Sequence, residues 1–521
     1  MQDLIRLLGD FKGSGLVWRE DCFFTVDPGP GYLLAVDPST GRTVVANGRT
    51  CMDWRGVTGL AMDGVGLWVL RENQILQVDL QDMTLLPYLE LDGYAEGLAL
   101  CGGYFWVSVQ GEQSLHRYDR QGVRASFPAP GVGIAGLTGQ GGDLWVSDQT
   151  EQTVYCLDPQ TGQVRFSMLT PHEYPAGLTW VDEALYVVYN RTEYTIEEDP
   201  NLPAQQDIAQ HIQTFIHHLR FEHHGHYTIS NGYLVEMVYC EETATLDPVV
   251  LENLVWRIAL PWDTPRQKVI HLEPIGHPFR QEIEGEQRTA VFEFARLECK
   301  EVRFFGWRAL LELRGIRYHI APQDLGYTIP PEIEAGYLDD DDRLAMDTPQ
   351  VREAARRAVG SQTNPLDKML AIRDFVYDRL YYYIDRGIAP PDVVLRQGHG
   401  SCGEYVGVLL ALARLSGIPT RTCGRYKCPP RPDIFNYPLR PRYNHVWIEF
   451  YLPGFGWVPA ESNADDTGNR PYPRRFFMAL PWNHVELDKG TAFERINAQG
   501  YSLADLAVNH VQFTLLKELT P

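Results

Sequence analysis

Gly398-His399-Gly400-Ser401-Cys402-Gly403-Glu404-Tyr405 runs straight into an apolar stretch, 406–415, that stops at Gly417. The stretch is apolar on more than one face and predicts a buried helix with a glycine stop. Cys402 falls at its start, where free backbone N–H groups and the positive dipole end favour a thiolate. The flanking glycines admit a substrate backbone at close range. Taken alone, the motif is better explained by a structural cysteine on a core helix, because buried free cysteines are common.

A second motif shifts that balance. Tyr443-Asn444-His445-Val446-Trp447-Ile448-Glu449-Phe450-Tyr451 is followed by Pro453-Gly454-Phe455-Gly456 and then Trp457-Val458-Pro459-Ala460-Glu461. Two alternating strands around a Pro-Gly turn predict a hairpin. His445 opens one strand and Glu461 lies near the end of the other, at an even separation that lets both share one face. A cysteine nucleophile needs an imidazole to take its proton, and that imidazole needs an acceptor to fix its tautomer. Cys402, His445 and Glu461 supply those roles in chain order. The plainer alternative, a strand pair carrying a solvated histidine, does not account for the pairing with Cys402.

These motifs, together with Leu412-Ala413-Arg414-Leu415-Ser416-Gly417-Ile418-Pro419-Thr420-Arg421, Gly424-Arg425-Tyr426 and Arg475-Phe476-Phe477-Met478-Ala479-Leu480, resemble the transglutaminase-like superfamily over about residues 325 to 490. The resemblance implies a papain-like fold and an acyl-enzyme thioester. It also implies activity as a cross-linking transferase, a peptidase or amidase, or a peptide N-glycanase. The family usually carries Asp where this chain has Glu461, and Asn463, Asp465 and Asp466 are the substitutes nearby. Trp is missing just after the nucleophile, unlike in the animal transglutaminases. The oxyanion donors expected are the Cys402 N–H with Gln397 or His399.

Outward from this core, residues 1–200 repeat with a period of about forty. Gly15-Leu16, Gly59-Leu60, Gly97-Leu98, Gly136-Leu137 and Gly177-Leu178 mark five units. From the second unit onward, an aromatic-Val pair follows: Trp68-Val69, Trp106-Val107, Trp145-Val146 and Tyr186-Val187. Short strands separated by Gly, Pro and Asp turns predict a five-bladed β-propeller. The glycines are expected where chains approach closely. The fifth unit lacks a last strand, and residues 4–11 match the missing piece, closing the ring. The repeat style resembles the NHL and SMP-30-like propellers, a weakly specific likeness.

Residues 205–216 have spacing that suits a short helix. From 220 to 320 alternating apolar runs, such as Leu254-Val255-Trp256-Arg257-Ile258 and Thr289-Ala290-Val291-Phe292, predict an antiparallel β-sandwich. This segment resembles the β-domain that precedes the core in many bacterial transglutaminase-like proteins, through Asn231-Gly232 and the stretch from Leu260 to Val269. Thr348-Pro349 is a helix-start signal, and 365–381 has helical spacing. The expected class is therefore a multidomain α+β and all-β chain. Its parts are a propeller over 1–200, a sandwich over 201–325 and a papain-like transglutaminase core over 326–521.

Bulk properties narrow the function. The net charge is −22 over 521 residues, which argues against a nucleic-acid partner and against docking on anionic membranes. No 18-residue apolar run or leader pattern is seen, so no membrane span is expected. Nine scattered cysteines fit a reducing, cytoplasmic setting better than a disulfide scaffold. His217, His218, His223, His224 and His226 read as a solvated strand edge rather than a metal site. The run Asp339, Asp340, Asp341, Asp342 reads as a solvated linker rather than a calcium loop, lacking the Gly and Glu of an EF-hand. No cofactor and no metal are expected. The partners expected are a protein or peptide substrate and a protein held by the propeller. The functional expectation is a cysteine enzyme working through a thioester, with hydrolysis favoured over cross-linking. The rival is a non-catalytic interaction protein with a relic core.

Overall fold

The computed structural model describes residues 4–519, apart from 65, 199–205, 244–249, 299–300, 327, 342, 386 and 499. The chain divides into two compact units: residues 1–223 with 473–475, and residues 224–472 with 476–521.

The first unit is propeller-like, built of antiparallel sheets of four strands each. The aromatic-Val pairs lie buried on second strands such as Leu67–Arg71 and Tyr104–Val109. The repeated glycines explain how neighbouring sheets meet. A side chain on Gly59 would run into Leu98 N at 2.8 Å, and one on Gly136 into Gly177 Cα at 2.5 Å. A side chain on Gly97 would strike the Ala135 carbonyl. A side chain on Gly177 would meet Gly15 Cα at 2.7 Å, and one on Gly15 would meet Leu60 N at 2.9 Å, so the series returns to its start. Backbones this close leave no room for a Cβ.

The last sheet runs in the order Leu4–Arg6, Gln206–Leu219, Ala184–Glu198, Pro175–Val181. The N-terminal strand thus completes it, with Leu4 opposite His217 and Arg6 opposite Phe215. The helix expected over 205–216 is a strand, Gln206–Leu219, paired along Ala184–Glu198; residue 205 lies outside the described residues. Ile212 and Ile216 are four apart, a spacing that serves both a helix turn and one face of a strand. Pairing with the long neighbour decides between them. His217 on this strand is buried, its ring 4.9 Å from that of His172, and is no solvated edge.

In the second unit, one sheet runs Gln267–Ile275, Phe304–Tyr318, Tyr227–Thr243, Ala507–Glu518, Pro438–Leu439. Another runs Arg280–Glu284, Gln287–Leu297, Leu251–Ala259, Glu494–Ile496. Tyr239, Trp256, Phe292, Trp307 and Phe513 join them in one core. The C-terminal strand Ala507–Glu518 therefore pairs with Tyr227–Thr243, far back in the chain.

A third sheet, ordered Gly456–Ala460, His445–Leu452, Thr420–Lys427, His484–Lys489, carries the site. Helix Cys402–Leu415 packs on it through a core containing Leu409, Leu412, Ile448, Phe450 and Val458. Helices Pro349–Val359 and Pro365–Tyr377 flank that helix. The second stops at Tyr377, short of the 381 expected, and the chain turns to the strand Tyr381–Tyr382. The acidic run is not a free linker. Asp340 accepts the Leu344 and Met346 N–H groups, and Asp341 pairs with the buried Arg414. Asp342 lies outside the described residues. Among the described residues no helix is long and apolar enough to cross a membrane.

Candidate active site

Ser401 caps the helix Cys402–Leu415, and Glu404 reaches back to accept the Ser401 N–H at 2.9 Å. This capping box fixes the first turn and puts Cys402 at the first helical position. Cys402 is 9% exposed. The hairpin forms as the sequence predicts, with Ile448 opposite Ala460 and Leu452 opposite Gly456. His445 starts the strand His445–Leu452, and Glu461 follows directly after Gly456–Ala460.

His445 Nε2 lies 2.6 Å from Glu461 Oε1. That leaves Nδ1 for the thiol. Nδ1 lacks a hydrogen-bond partner of strict geometry, yet the imidazole and thiol are close enough to shift each other's titration. Such contacts are often loose without substrate and tighten when it binds. Burial raises the Cys402 thiol, but His445 and the Val446 N–H outweigh it and leave the pKa below the ordinary value. Burial lowers His445, and the Glu461 charge with the Cys402 contact outweighs it, leaving the imidazole raised. Burial also raises Glu461, while His445, Lys427 and His484 hold it well below the carboxylate range. These shifts together favour a thiolate–imidazolium pair.

The other candidate acceptors near Glu461 are engaged elsewhere. Asn463 Oδ1 accepts from Ser462 Oγ, Asp465 from the Phe476 N–H and Asp466 from Tyr405 Oη. Of the two side chains read as oxyanion donors, Gln397 gives its amide to the His399 carbonyl at 3.0 Å. His399 lies between Tyr381 and Tyr383, and its Nδ1 is buried without a hydrogen-bond partner.

Three groups were missed by sequence reasoning. His484 Nε2 lies 2.7 Å from Glu461 Oε1, and burial drives its pKa down to about 3, so it is neutral and donates. Lys427 Nζ is 3.7 Å from the same oxygen. Tyr382 is within electrostatic reach of Cys402, with burial first and the thiolate next pushing its hydroxyl up to about 12. Lys427 and His484 face each other on adjacent strands, a pairing that no local pattern announces. The one signal was a polar His inside the apolar run Leu480-Pro481-Trp482-Asn483-His484-Val485.

Residues 352–462 match the family model of the transglutaminase-like superfamily. This segment is a transglutaminase-like domain. All three members of the Cys402, His445, Glu461 set fall within it. Similar proteins include the uncharacterised YebA of Bacillus subtilis, 26% identical over 141 residues, which are 23% of this chain and 19% of YebA. An uncharacterised Haemophilus influenzae protein is 29% identical over 163 residues, 26% of this chain and 43% of that one. The chain thus spans less than half the length of either relative. Among solved structures, a "Putative Cysteine Protease" from Cytophaga hutchinsonii has a TM-score of 0.41 at 17% identity, over 57% of this chain and 95% of that one. Virginiamycin B lyase from Staphylococcus aureus has a TM-score of 0.25 at 14% identity, over 40% and 72%.

Proposed function

We propose that this transglutaminase-like domain is a cysteine enzyme acting on peptide or carboxamide bonds through a thioester, with water as the usual acceptor. The observation that carries the reading is the buried hydrogen bond between His445 and Glu461 behind a thiol of lowered pKa. Cys402 Sγ attacks the carbonyl carbon as His445 holds the thiol proton. The carbon–nitrogen bond then breaks, and His445 gives that proton to the leaving nitrogen. Water next attacks the thioester, His445 takes its proton and returns it to the thiol, and the carboxylic acid departs. An amine in place of water would give transamidation. Water is favoured because Gly403 follows the nucleophile where the animal cross-linking enzymes carry Trp.

For the first unit, the glycine contacts that return to their start support a five-bladed propeller serving as a partner-binding scaffold. The shared core of the two sheets supports a β-sandwich beside the catalytic domain. The test is intact mass after treatment with a thiol electrophile, comparing wild type, Cys402→Ala and His445→Ala. One rapid adduct is expected in wild type and none in Cys402→Ala. Equal adducts in all three proteins would sink the reading.

A further inference from the structure

The second unit matches its buried cations to acids with care. Arg421 pairs with Glu286 and Glu449, Arg266 with Glu486, and Arg414 with Asp341. Arg440 and Arg442 lie outside this set. Both are exposed, and neither has an ion pair or hydrogen bond among the described residues. They line a cavity of about 530 Å³ together with Tyr426, Tyr443, Asn444 and His510. That volume lies in the range of small-ligand sites. No Asp or Glu is among its described lining residues, although carboxylates outnumber basic residues 68 to 46 in the whole chain.

The cavity adjoins the chemistry. Its wall ends at Asn444, and the next residue is His445. Tyr443 lines it, and Tyr443 and Cys402 both act electrostatically on the Tyr382 hydroxyl. The backbone leading to the arginines is tied to the sheet. Leu439 pairs with Phe513 of the strand Ala507–Glu518, and Pro441 stiffens the backbone between the two guanidinium groups. His510, the remaining basic group, is occupied by Glu242 at 2.9 Å. Two unpaired guanidinium forks at a cavity with no Asp or Glu among its described lining residues are suited to a carboxylate, which such forks bind bidentately.

Resting on the enzyme reading above, we infer that Arg440 and Arg442 form an anion subsite selecting polypeptide substrates that carry a carboxylate near the scissile bond. The carboxylate comes from an Asp or Glu side chain or from the chain terminus. Binding it beside His445 aligns the neighbouring carbonyl with Cys402.

The test uses the full chain and three chloroacetyl tetrapeptides: one with Glu and an amidated end, one with Gln and an amidated end, one with Gln and a free carboxyl end. Cys402 labelling is followed by intact mass. At least one acidic probe is expected to label about tenfold faster than the neutral one, the scale of one charge-assisted hydrogen bond. A fast Glu probe identifies a side-chain carboxylate, and a fast free-acid probe the terminus. The ratio is expected to collapse in Arg440→Gln/Arg442→Gln of unchanged melting temperature, and to shrink in high salt. Equal rates for the three probes overturn the inference, as does a preference that survives the double substitution. The same peptides without chloroacetyl, fluorescently labelled, are bound to Cys402→Ala. Carboxylate-dependent binding lost with the arginines, alongside a Cys402 no more reactive than other cysteines, would uphold the subsite and overturn the enzyme reading alone.

Discussion

His484 donates a 2.7 Å hydrogen bond to the Oε1 atom of Glu461. The same oxygen takes His445 Nε2 at 2.6 Å, while Oε2 accepts the Ser462 N–H at 2.8 Å. Three donors therefore fix a carboxylate that has one more rotatable bond than aspartate. That is how a longer acid can hold an imidazole in one orientation.

Removing the His484 donor should loosen Glu461 and weaken the thiolate–imidazolium pair. His484→Phe is expected to raise the apparent pKa of Cys402 alkylation by about one unit. His484→Gln keeps an N–H donor and should restore most of the wild-type profile. Identical pH profiles for wild type and a folded His484→Phe would remove His484 from any positioning role.

The two thiols at opposite extremes give a direct contrast. Cys402 is lowered by His445 against its burial, whereas burial drives Cys423 well above the ordinary thiol value. Iodoacetamide at mildly acidic pH should label Cys402 at least about tenfold faster, because only a thiolate reacts. His445→Ala should slow Cys402 labelling and so narrow the difference. Comparable labelling of both cysteines in peptide maps would count against a catalytic thiol.

Glu461 itself can be tested by length and by charge. Glu461→Gln retains an acceptor but loses the charge that raises His445, and should cut activity by about 10²- to 10⁴-fold. Glu461→Asp pulls the carboxylate back by a methylene and away from His484, so it should keep partial activity and lose the His484 bond. A Glu461→Gln protein with wild-type rates would place the acceptor elsewhere.

The pH dependence of stability has a definite sign. His484 is buried neutral, with a folded pKa of about 3 against an unfolded value near 6.5. Its contribution is fully present above about pH 6.5 and is lost as pH falls toward 3. The charged groups acting on it are Glu461, Lys427 and His445. His484→Gln cannot titrate, so its stability should fall less steeply in that window, by up to about 1.4 kcal/mol per pH unit. Urea melts at pH 4 to 7 measure this, and parallel slopes for the two proteins would refute it.

In the first unit, Gly97→Ala should place a methyl group against the Ala135 carbonyl and Leu137. A destabilisation of about 2 kcal/mol is expected from such overpacking. Deleting residues 1–12 removes the partner strand of Gln206–Leu219 and should lower the same unit's melting transition while Cys402 reactivity persists. A deletion mutant with an unchanged melting profile would show that the strand adds nothing.

Much of the chemistry was written locally. The Gly-Ser-Cys-Gly-Glu motif places a thiol at a helix start, and an even separation allows His445 and Glu461 one face of a hairpin, which the register of Ile448 opposite Ala460 then secures. The repeated glycines announce close backbone contacts because only glycine tolerates them. These features depend on near neighbours in the chain, so periodicity reveals them. What surrounds the site does not. His484 and Lys427 reach Glu461 because the strands Thr420–Lys427 and His484–Lys489 lie side by side, with the hairpin joined on the far edge of the first. The strand Gln206–Leu219 looked helical because a four-residue spacing suits both periods, and only its long neighbour settles it. Sequence fixes which face a side chain takes; the order of strands in a sheet fixes whom it meets there, and that order is set by burial summed over the whole core.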